Sequence, residues 1–323
     1  MSCGSPNVMK PVSMKLNSLA FVAPGSINKK GIEEMDTTVK EFDLWGNEIV
    51  KNPLLREQFI EPPFSVLDTK SGSWQKRKRL WKTLGIKSEV GRKENALGMS
   101  KSCSLGEKDT SIFDPALCEV LYHWFCEKGE SILDPFAGGS VRGIVANYLG
   151  YNYTGIDIRA EQIKSNREQA ENILEVNNRP NWYIGDSNKE LDKIIREYDF
   201  VFSCPPYADL EVYSDLEGDI SNKPYKEFME LYESIINKSC KLLKPGGYAC
   251  FVVGEVRDKK GNYIGFVPDT INAFKKAGMN FYNEAILLNM IGTASMRAPR
   301  IFGSNKKLVK IHQNVLIFKK PLK

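Results

Sequence analysis

Short apolar runs alternate with longer amphipathic segments from about Ser111 to the end of the chain. Apolar runs that end in Gly, Pro or Asp are typical of buried strands, and apolar residues spaced three and four apart are typical of helices. The predicted strands of the first half are SILDPF, YTGIDI, NWYIGD and YDFVFSCPPY, and the predicted helices are PALCEVLYHWFC, VRGIVANYLG, residues 160–176 and residues 188–197.

The same alternation continues towards the carboxyl terminus. A helix is predicted over residues 225–243, followed by the turn KPGG, the strand YACFVVGEV, a helix over residues 268–277 and two final strands near FYNEAILLN and QNVLIFKK. Alternating strands and helices predict an α/β fold, namely a Rossmann-like, doubly wound and mostly parallel sheet. Such a sheet binds its ligand at the carboxyl ends of its strands.

The domain boundary is predicted near Ser104, within the polar stretch GMSKSCSLGEKDTS. A chain of 323 residues has room for one α/β core and an appendage of about 100 residues. We therefore expect a smaller N-terminal basic segment over residues 1–104 and the α/β domain over residues 105–323.

The composition limits the cellular compartment that is expected for the protein and the kinds of site it is expected to contain. Charged residues make up 26% and hydrophobic residues 42% of the chain, which is ordinary for a globular protein. No apolar run approaches the roughly 20 residues of a membrane span, and the N-terminus lacks the apolar centre of a signal peptide, so a cytoplasmic protein is expected. The seven cysteines form no C-x-x-C pair and there are two histidines, so neither a disulfide framework nor a metal site is expected.

Positive charge is concentrated between Lys70 and Lys101, where ten basic residues stand against two acidic ones. The centre of this stretch is KRKR, formed by Lys76, Arg77, Lys78 and Arg79 and flanked by Trp74 and Trp81. One interpretation is a solvated helix face. The other is a segment that contacts the phosphates of a nucleic acid.

Three successive predicted strands end in residues suited to a nucleotide-like ligand. Gly138 and Gly139 follow the first strand, where they allow a sharp turn and a close approach of the backbone to a ligand. Asp157 ends the second strand about twenty residues later, where an acid accepts hydrogen bonds from ribose hydroxyls. Asp186 ends the third strand, beside the second, where an acid can accept a hydrogen bond from an adenine amino group. Each residue alone is also a common turn residue.

The fourth predicted strand ends in Cys204, Pro205, Pro206 and Tyr207. Two consecutive prolines fix the backbone and remove two amide donors, so nearby carbonyls stay available to accept hydrogen bonds from an amino group. Tyr207 supplies an aromatic face on which a planar base can stack. In isolation this motif is also typical of a rigid loop.

In this order and spacing, DPFAGGSVRG, GIDIR, GDS and CPPY resemble the S-adenosylmethionine-dependent amino methyltransferases that modify exocyclic nitrogens of adenine or cytosine in DNA. The resemblance covers about residues 111–320 and leaves the N-terminal hundred residues outside the general pattern; within them, EPPFSVLDTKSGSWQKRKRLW resembles a segment of phage and prophage DNA methylases. It implies S-adenosylmethionine as cofactor and DNA as partner. The implied cofactor-binding residues are Ser111, Phe113, Asp134, Pro135, Phe136, Ala137, Gly138, Gly139, Asp157, Ile158, Asp186 and Ser187.

Cys204 departs from the family pattern, in which Asp, Asn or Ser precedes the two prolines. Three interpretations remain open: the Pro205 carbonyl replaces the missing acceptor, Ser203 supplies the oxygen, or Cys204 is a nucleophile that directs methylation to carbon 5 of cytosine. The residues implied in catalysis are therefore Ser203, Cys204, Pro205, Pro206 and Tyr207.

The family chemistry requires the target base to be flipped out of a duplex and stacked on Tyr207. A second basic stretch, with Arg297, Arg300, Lys306, Lys307 and Lys310, is predicted to be a loop between the last two strands, near the same pocket. We expect DNA contacts there and at KRKR, with sequence recognition shared by the N-terminal segment and this loop. The alternatives are an RNA amino methyltransferase, a protein-glutamine methyltransferase with a similar pocket, and a nucleic-acid-binding module that has lost catalysis.

Overall fold

The structure is a computed structural model that describes residues 54–86, 113–207, 216, 218–289 and 291–322. The chain divides into two units, Met1–Ile49 and Val50–Lys323, and every described residue lies in the second. None of the helices in the described residues is long and apolar enough to cross a membrane.

An eight-stranded sheet forms the centre of the described fold. Its strands are β1 Val66–Asp68, β2 Ser131–Asp134, β3 Asn152–Asp157, β4 Asn181–Ile184, β5 Tyr198–Ser203, β6 Leu243–Val253, β7 Asn280–Leu288 and β8 His312–Lys319. They are ordered β1-β7-β8-β6-β5-β2-β3-β4. β8 runs antiparallel to β6 and β7, whereas the other neighbouring pairs are parallel. The predicted doubly wound, mostly parallel sheet is therefore confirmed.

The helices connect these strands. They are α1 Leu55–Phe59, α2 Gly72–Thr83, α3 Pro115–Phe125, α4 Val141–Tyr148, α5 Ala160–Ile173, α6 Ser187–Glu190, α7 Tyr225–Lys241, α8 Phe266–Lys276 and α9 Ala294–Asn305. From β2 the chain proceeds outward through β3 and β4, and it then returns to β5 on the other side of β2 and continues to β6. The order of the strands thus reverses between β2 and β5, and the crevice at such a switch point is where an open α/β sheet binds its ligand.

Aromatic side chains hold the sheet to α7 and α8. Phe228 and Tyr232 of α7 stack with ring centroids 5.4 Å apart, and Tyr232 also meets Phe266 at 5.5 Å. Phe274 of α8 stacks on Phe318 of β8 at 3.9 Å. Each of these rings is buried, so this cluster fixes the β6 side of the switch point as a rigid wall.

The N-terminal side of the described chain differs from the prediction. β1 pairs with β7 at the edge of the sheet, and α2 packs on α3 with Trp74 and Trp81 buried against it. Residues 54–86 therefore belong to the same unit as the sheet, and the boundary predicted near Ser104 is wrong. The prediction failed because β1 has three residues and joins a strand about 220 positions later, which local composition does not reveal.

Two other segments also differ. The stretch predicted as a loop between the last two strands contains α9, although Pro299 lies inside it. The helix predicted over residues 188–197 is a short helix at Ser187–Glu190 followed by a 3₁₀ turn at Leu191–Lys193. Proline and glycine mark loops statistically, but a Pro inside a surface helix is tolerated at a cost.

Candidate active site

A cavity of about 730 Å³ opens at the switch point between β2 and β5. Its wall carries eight of the twelve predicted cofactor residues, namely Phe113, Pro135, Phe136, Gly138, Asp157, Ile158, Asp186 and Ser187. It also carries the predicted catalytic residues Cys204, Pro205, Pro206 and Tyr207. Residues from four different strand ends thus surround one space large enough for a small organic ligand. Ser111 lies outside the described residues.

Asp134 does not face this cavity, which corrects its prediction as a cofactor contact. Its side chain is fully buried at the end of β2 and accepts four hydrogen bonds: from Arg142 Nε at 2.5 Å, Tyr153 Oη at 2.7 Å, Ser203 Oγ at 2.6 Å and the Phe136 amide at 3.1 Å. Burial alone would lower the pKa of Arg142, but the adjacent Asp134 raises it, so Arg142 stays charged. Asp134 therefore stabilises the turn after β2 from inside the protein core. Ala137 and Gly139 likewise do not line the cavity.

The turn after β2 is tied to the end of β3. The Gly138 amide donates to Asp157 Oδ2 at 2.9 Å, and the Arg159 amide donates to Asp157 Oδ1 at 2.8 Å. Gly138 has φ of +51°, a left-handed conformation that favours glycine, and it lines the cavity. Backbone and carboxylate therefore meet at the cavity wall, which is a suitable arrangement for a ligand that carries hydroxyl groups.

The end of β4 adds a second carboxylate. Asp186 caps α6 by accepting from the Asn188 amide at 2.9 Å, and Ser187 Oγ donates to the Pro135 carbonyl at 2.5 Å. A Cβ added at Gly218 would lie 2.9 Å from Ile158 Cδ1 and 3.2 Å from Asp186 Cβ, so the backbone at Gly218 lies close against both side chains. Ile158 and Phe136 supply apolar surface beside the two acids. The donor and acceptor set fits an adenosine group: carboxylates for its hydroxyls and amino group, and apolar side chains for its base.

The CPPY segment directly follows β5. Tyr207 packs edge-to-face against Phe266 at a centroid distance of 5.9 Å, and its hydroxyl accepts a hydrogen bond from Gln313 Nε2 at 2.7 Å. Gly254, at the end of β6, lies against the same ring, because a Cβ there would be 3.6 Å from Tyr207 Cε1. The tyrosine ring is thus held in one orientation at the cavity wall.

Ser203 does not line the cavity, so its prediction as a catalytic residue is wrong. It is fully buried, and its hydroxyl donates to Asp134 Oδ1 at 2.6 Å. The alternation of side chains along β5 places Ser203 and Cys204 on opposite faces of the strand end, and Cys204 is the one at the cavity. Ser203 therefore does not supply the oxygen that Cys204 lacks.

Sequence reasoning missed several residues of the cavity wall. Arg142 lies on α4, Glu255 follows β6, and His312 and Gln313 lie at the start of β8. Lys310, two residues before β8, also lines the cavity, and it belongs to the second basic stretch that the sequence predicts near this pocket. Burial lowers the pKa of His312, and the charge of Lys310 lowers it further. Glu255 Oε1 accepts from the Gly265 and Phe266 amides at 2.9 Å each, so its carboxylate caps α8. β8 runs antiparallel, so its start, not its end, meets the cavity, and the strand-end rule does not select these residues.

The four residues of KRKR have different environments. Lys76 and Arg79 are exposed, as a solvated or DNA-contacting face requires. Arg77 instead forms a 2.6 Å ion pair with the buried Glu119, which also accepts from Trp81 Nε1 at 2.8 Å. Burial raises the pKa of Glu119, with Arg77 and Trp81 opposing that effect. Arg77 is therefore a packing residue, and its prediction as a phosphate contact is wrong.

The late basic residues are mostly exposed. Arg297 and Arg300 project from α9, which buries only Ala294, and Lys306 follows the helix in a left-handed conformation. Lys307 is half-buried, with its ammonium group against the backbone of Gly261. The segments that flank α9 begin and end at the cavity, since Asn289 and Lys310 both line it.

The sheet order, the glycine turn and the paired acids at the ends of β3 and β4 define an S-adenosylmethionine-dependent methyltransferase fold. A family model of DNA methylases, of the N-6 and N-4 class, matches residues 33–168 and confirms the predicted resemblance and its cofactor. The match includes EPPFSVLDTKSGSWQKRKRLW, so the expectation that the N-terminal hundred residues lie outside the family pattern is wrong.

Other similarities are more distant. A release factor glutamine methyltransferase of Clostridium botulinum is 29% identical over 167 residues, which cover 48% of this chain and 57% of that protein. The chain thus matches little more than half the length of this relative. Similar solved structures include TrmN from Thermus thermophilus (16% identity, TM-score 0.43, 64% of this chain and 49% of that one). Another is an S-adenosylmethionine-dependent methyltransferase from Methanosarcina mazei (16% identity, TM-score 0.42, 63% and 98%).

Proposed function

We propose that this protein transfers a methyl group from S-adenosylmethionine to an exocyclic amino nitrogen of adenine or cytosine in DNA. One observation carries the proposal: the CPPY segment after β5 lines the same cavity as Asp157 and Asp186. A cofactor held by its adenosine group at the two acids would extend along the strand ends towards β5. The transferable methyl group and the target amino group would then meet at Pro205 and Tyr207.

The chain's own groups provide the positioning that methyl transfer needs. When bound, S-adenosylmethionine supplies an electrophilic methyl group on a sulfonium. The amino group of the target base donates its hydrogens to the backbone carbonyls beside Pro205 and Pro206. The two prolines themselves have no amide hydrogen. These contacts aim the nitrogen lone pair at the methyl group and stabilise the positive charge that develops on nitrogen. The nitrogen–methyl bond would form as the methyl–sulfur bond breaks to leave a neutral thioether, and the nitrogen would then lose one proton to water. The Tyr207 ring, held by Gln313 and Phe266, stacks on the flipped base.

The DNA backbone would be bound by exposed cations of two helices that adjoin the cavity. Arg297 and Arg300 project from α9, followed by Lys306, and Lys76 and Arg79 project from α2. The segment 291–311 has five basic residues and no acidic one, so its charge complements phosphate. Removing any one of these cations that binds a phosphate should lower the salt dependence of DNA binding by about one unit of slope.

Incubation of unmodified DNA with labelled S-adenosylmethionine, followed by mass analysis of the nucleosides, tests the proposal. The expected products are N-6-methyladenine or N-4-methylcytosine, and Tyr207→Ala should abolish most of the incorporation. Methylation at carbon 5 of cytosine would overturn the role of the CPPY carbonyls. Incorporation into RNA in place of DNA would overturn the substrate, and the resemblance to phage methylases would then have no functional meaning.

A second candidate is methylation of a glutamine side chain in a protein. The relative from Clostridium botulinum favours it by its name, and a glutamine amide presents a planar amino group of the same kind to a CPPY pocket. The same labelled donor offered with DNA and with a whole-protein extract separates the two. Label in protein alone would favour this candidate over DNA.

A further inference from the structure

An ion pair lies at the cavity wall, away from the acids of β3 and β4. Lys78 Nζ on α2 contacts Asp114 Oδ2 at 2.9 Å, and both residues line the cavity. Their side chains are 25% and 13% exposed. A charged pair so little exposed to solvent, yet open to a cavity, is suited to a charged part of a ligand.

The acid of this pair is held firmly by the protein. Asp114 Oδ1 caps α3 by accepting from the Ala116 amide at 3.0 Å, and Oδ2 also accepts from the indole of Trp74 at 3.1 Å. Trp74 is buried, so the carboxylate is fixed from two helices at once. Lys78 is thus drawn towards the cavity wall by a partner that does not move, which keeps its ammonium group in place.

The position of the pair matches the methionine end of the proposed cofactor. Phe113, next to Asp114, packs against Phe202 of β5 at a centroid distance of 5.8 Å and lies 4.7 Å from the guanidinium of Arg142. The pair is therefore beside β2 and β5. The acids proposed for the adenosine group end β3 and β4, so a cofactor bound there would extend its amino acid end towards Lys78.

Lys78 retains hydrogen-bonding capacity that the nearby arginine lacks. An ammonium group has three donors, and in the described part of the chain one of them goes to Asp114. Arg142, by contrast, donates to Asp134 and to the carbonyls of Phe136 and Ala137. Of these two cations, Lys78 is the one that can take up an anionic ligand group without breaking a buried network.

We propose that Lys78 binds the methionine carboxylate of S-adenosylmethionine, with Asp114 as the residue that positions its ammonium group. This inference rests on the proposed function and assigns to cofactor binding a lysine whose sequence context predicts DNA contact. Carboxylate and phosphate share the chemistry that an ammonium group recognises, so the experiment must separate the two sources.

Calorimetric titration with two nucleosides provides that test. S-adenosylhomocysteine carries the amino acid group, whereas 5′-methylthioadenosine lacks it. Lys78→Met should weaken S-adenosylhomocysteine binding about ten- to a hundredfold, the range expected for a hydrogen bond to a charged group. Its binding of 5′-methylthioadenosine should stay within about twofold, and Lys78→Arg should recover much of the affinity because it keeps the charge. Lys82→Met, on the exposed side of the same helix, should change neither affinity.

The outcomes are distinguishable. Equal affinities of the wild type and Lys78→Met for S-adenosylhomocysteine would overturn the inference, and so would an equal loss for both nucleosides in the Lys78→Arg variant, which keeps the charge, or in a Lys78→Met protein that keeps the wild-type Tm. A wild-type protein that binds neither nucleoside would instead overturn the proposed function. Unchanged cofactor affinity, together with a DNA-binding salt slope lowered by about one in Lys78→Met, would assign Lys78 to a DNA phosphate. Because 5′-methylthioadenosine reports an intact cavity, a misfolded variant is recognised in the same titration.

Discussion

Asp134→Asn is the substitution that best separates two roles for the acid of the DPF motif. If Asp134 contacted the cofactor, its loss would weaken cofactor binding and leave the unliganded protein stable. The structure instead buries the carboxylate among four donors, with the charged Arg142 at 2.5 Å. The neutral amide has the same shape but removes the charge, and its NH2 group replaces one of the two oxygens, so it places hydrogens where either Tyr153 or Ser203 already donates one. We therefore expect a loss of stability in the absence of any ligand.

The magnitude follows from the burial of the pair. Removing one partner of a buried ion pair leaves the other charge uncompensated and costs about 3–5 kcal/mol. For a domain of about 150–250 residues each kcal/mol shifts Tm by roughly 2–4 °C, and this unit is slightly larger. Asp134→Asn should therefore lower Tm by about 10 °C. The two carbonyl contacts of Arg142 hold it in place after the substitution, and only 5% of the residue is exposed, so its charge stays largely buried.

Thermal denaturation of the unliganded protein measures this effect. Arg142→Met and the double variant complete a mutant cycle, in which the double variant should cost about 0.5–3 kcal/mol less than the sum of the single ones, because the two residues interact directly. Thr83→Ala, at the exposed end of α2, serves as a surface control. An Asp134→Asn protein with wild-type Tm but weakened S-adenosylhomocysteine binding would refute the buried-network interpretation and restore the cofactor contact.

Substitutions at three further positions test the other parts of the cavity. Tyr207→Phe keeps the ring but loses the bond from Gln313, so kcat/KM should fall only a few-fold, whereas Tyr207→Ala should lose about 5- to 150-fold with the stacking energy of one base. Cys204→Ser should retain amino methylation within a few-fold, and an inactive Cys204→Ser protein would revive a nucleophilic cysteine. An NMR titration should place the pKa of His312 below its ordinary value, and Lys310→Gln should raise it. A His312 pKa that stays the same in Lys310→Gln would show that the charge of Lys310 does not lower that pKa. Because the pKa of His312 is lower in the folded protein than in the unfolded protein, the unfolded protein binds the proton first as pH falls. His312 therefore lowers the stability of the protein as pH falls through the ordinary histidine range.

The sequence predicted those residues of the cavity wall whose positions follow from local rules about strand ends. Each of Gly138, Asp157, Asp186 and Tyr207 lies at or just after the end of a strand, and the carboxyl ends of parallel strands meet at one edge of the sheet. A short pattern in the chain therefore suffices to bring these residues to one cavity. Predicting that these residues line one cavity therefore required no knowledge of the packing between distant segments.

The remaining residues depend on contacts between distant segments, which local patterns do not encode. Gln313 meets Tyr207 across 106 positions, and Lys78 meets Asp114 across 36. Ser203 and Cys204 are adjacent in sequence, yet one is buried on Asp134 and the other lines the cavity. Their assignment required the direction of each side chain, which the three-dimensional structure supplies.

The described part of the N-terminal segment packs against the sheet, and this limits how its part in DNA sequence recognition can be tested. β1 joins β7 at the sheet edge, Thr69 donates from its hydroxyl to the Leu288 carbonyl at 2.6 Å, and α2 packs on α3. Thr69 and Lys78 both line the cavity, so this segment forms part of the cavity wall. Deleting the residues before Ser104 would remove that wall, expose an edge of β7 and leave Glu119 without Arg77 and Trp81. A truncated protein would therefore lose activity for structural reasons, whatever its part in sequence selectivity. Point substitutions of the exposed Lys76 and Arg79 are the ones that isolate DNA contact from folding.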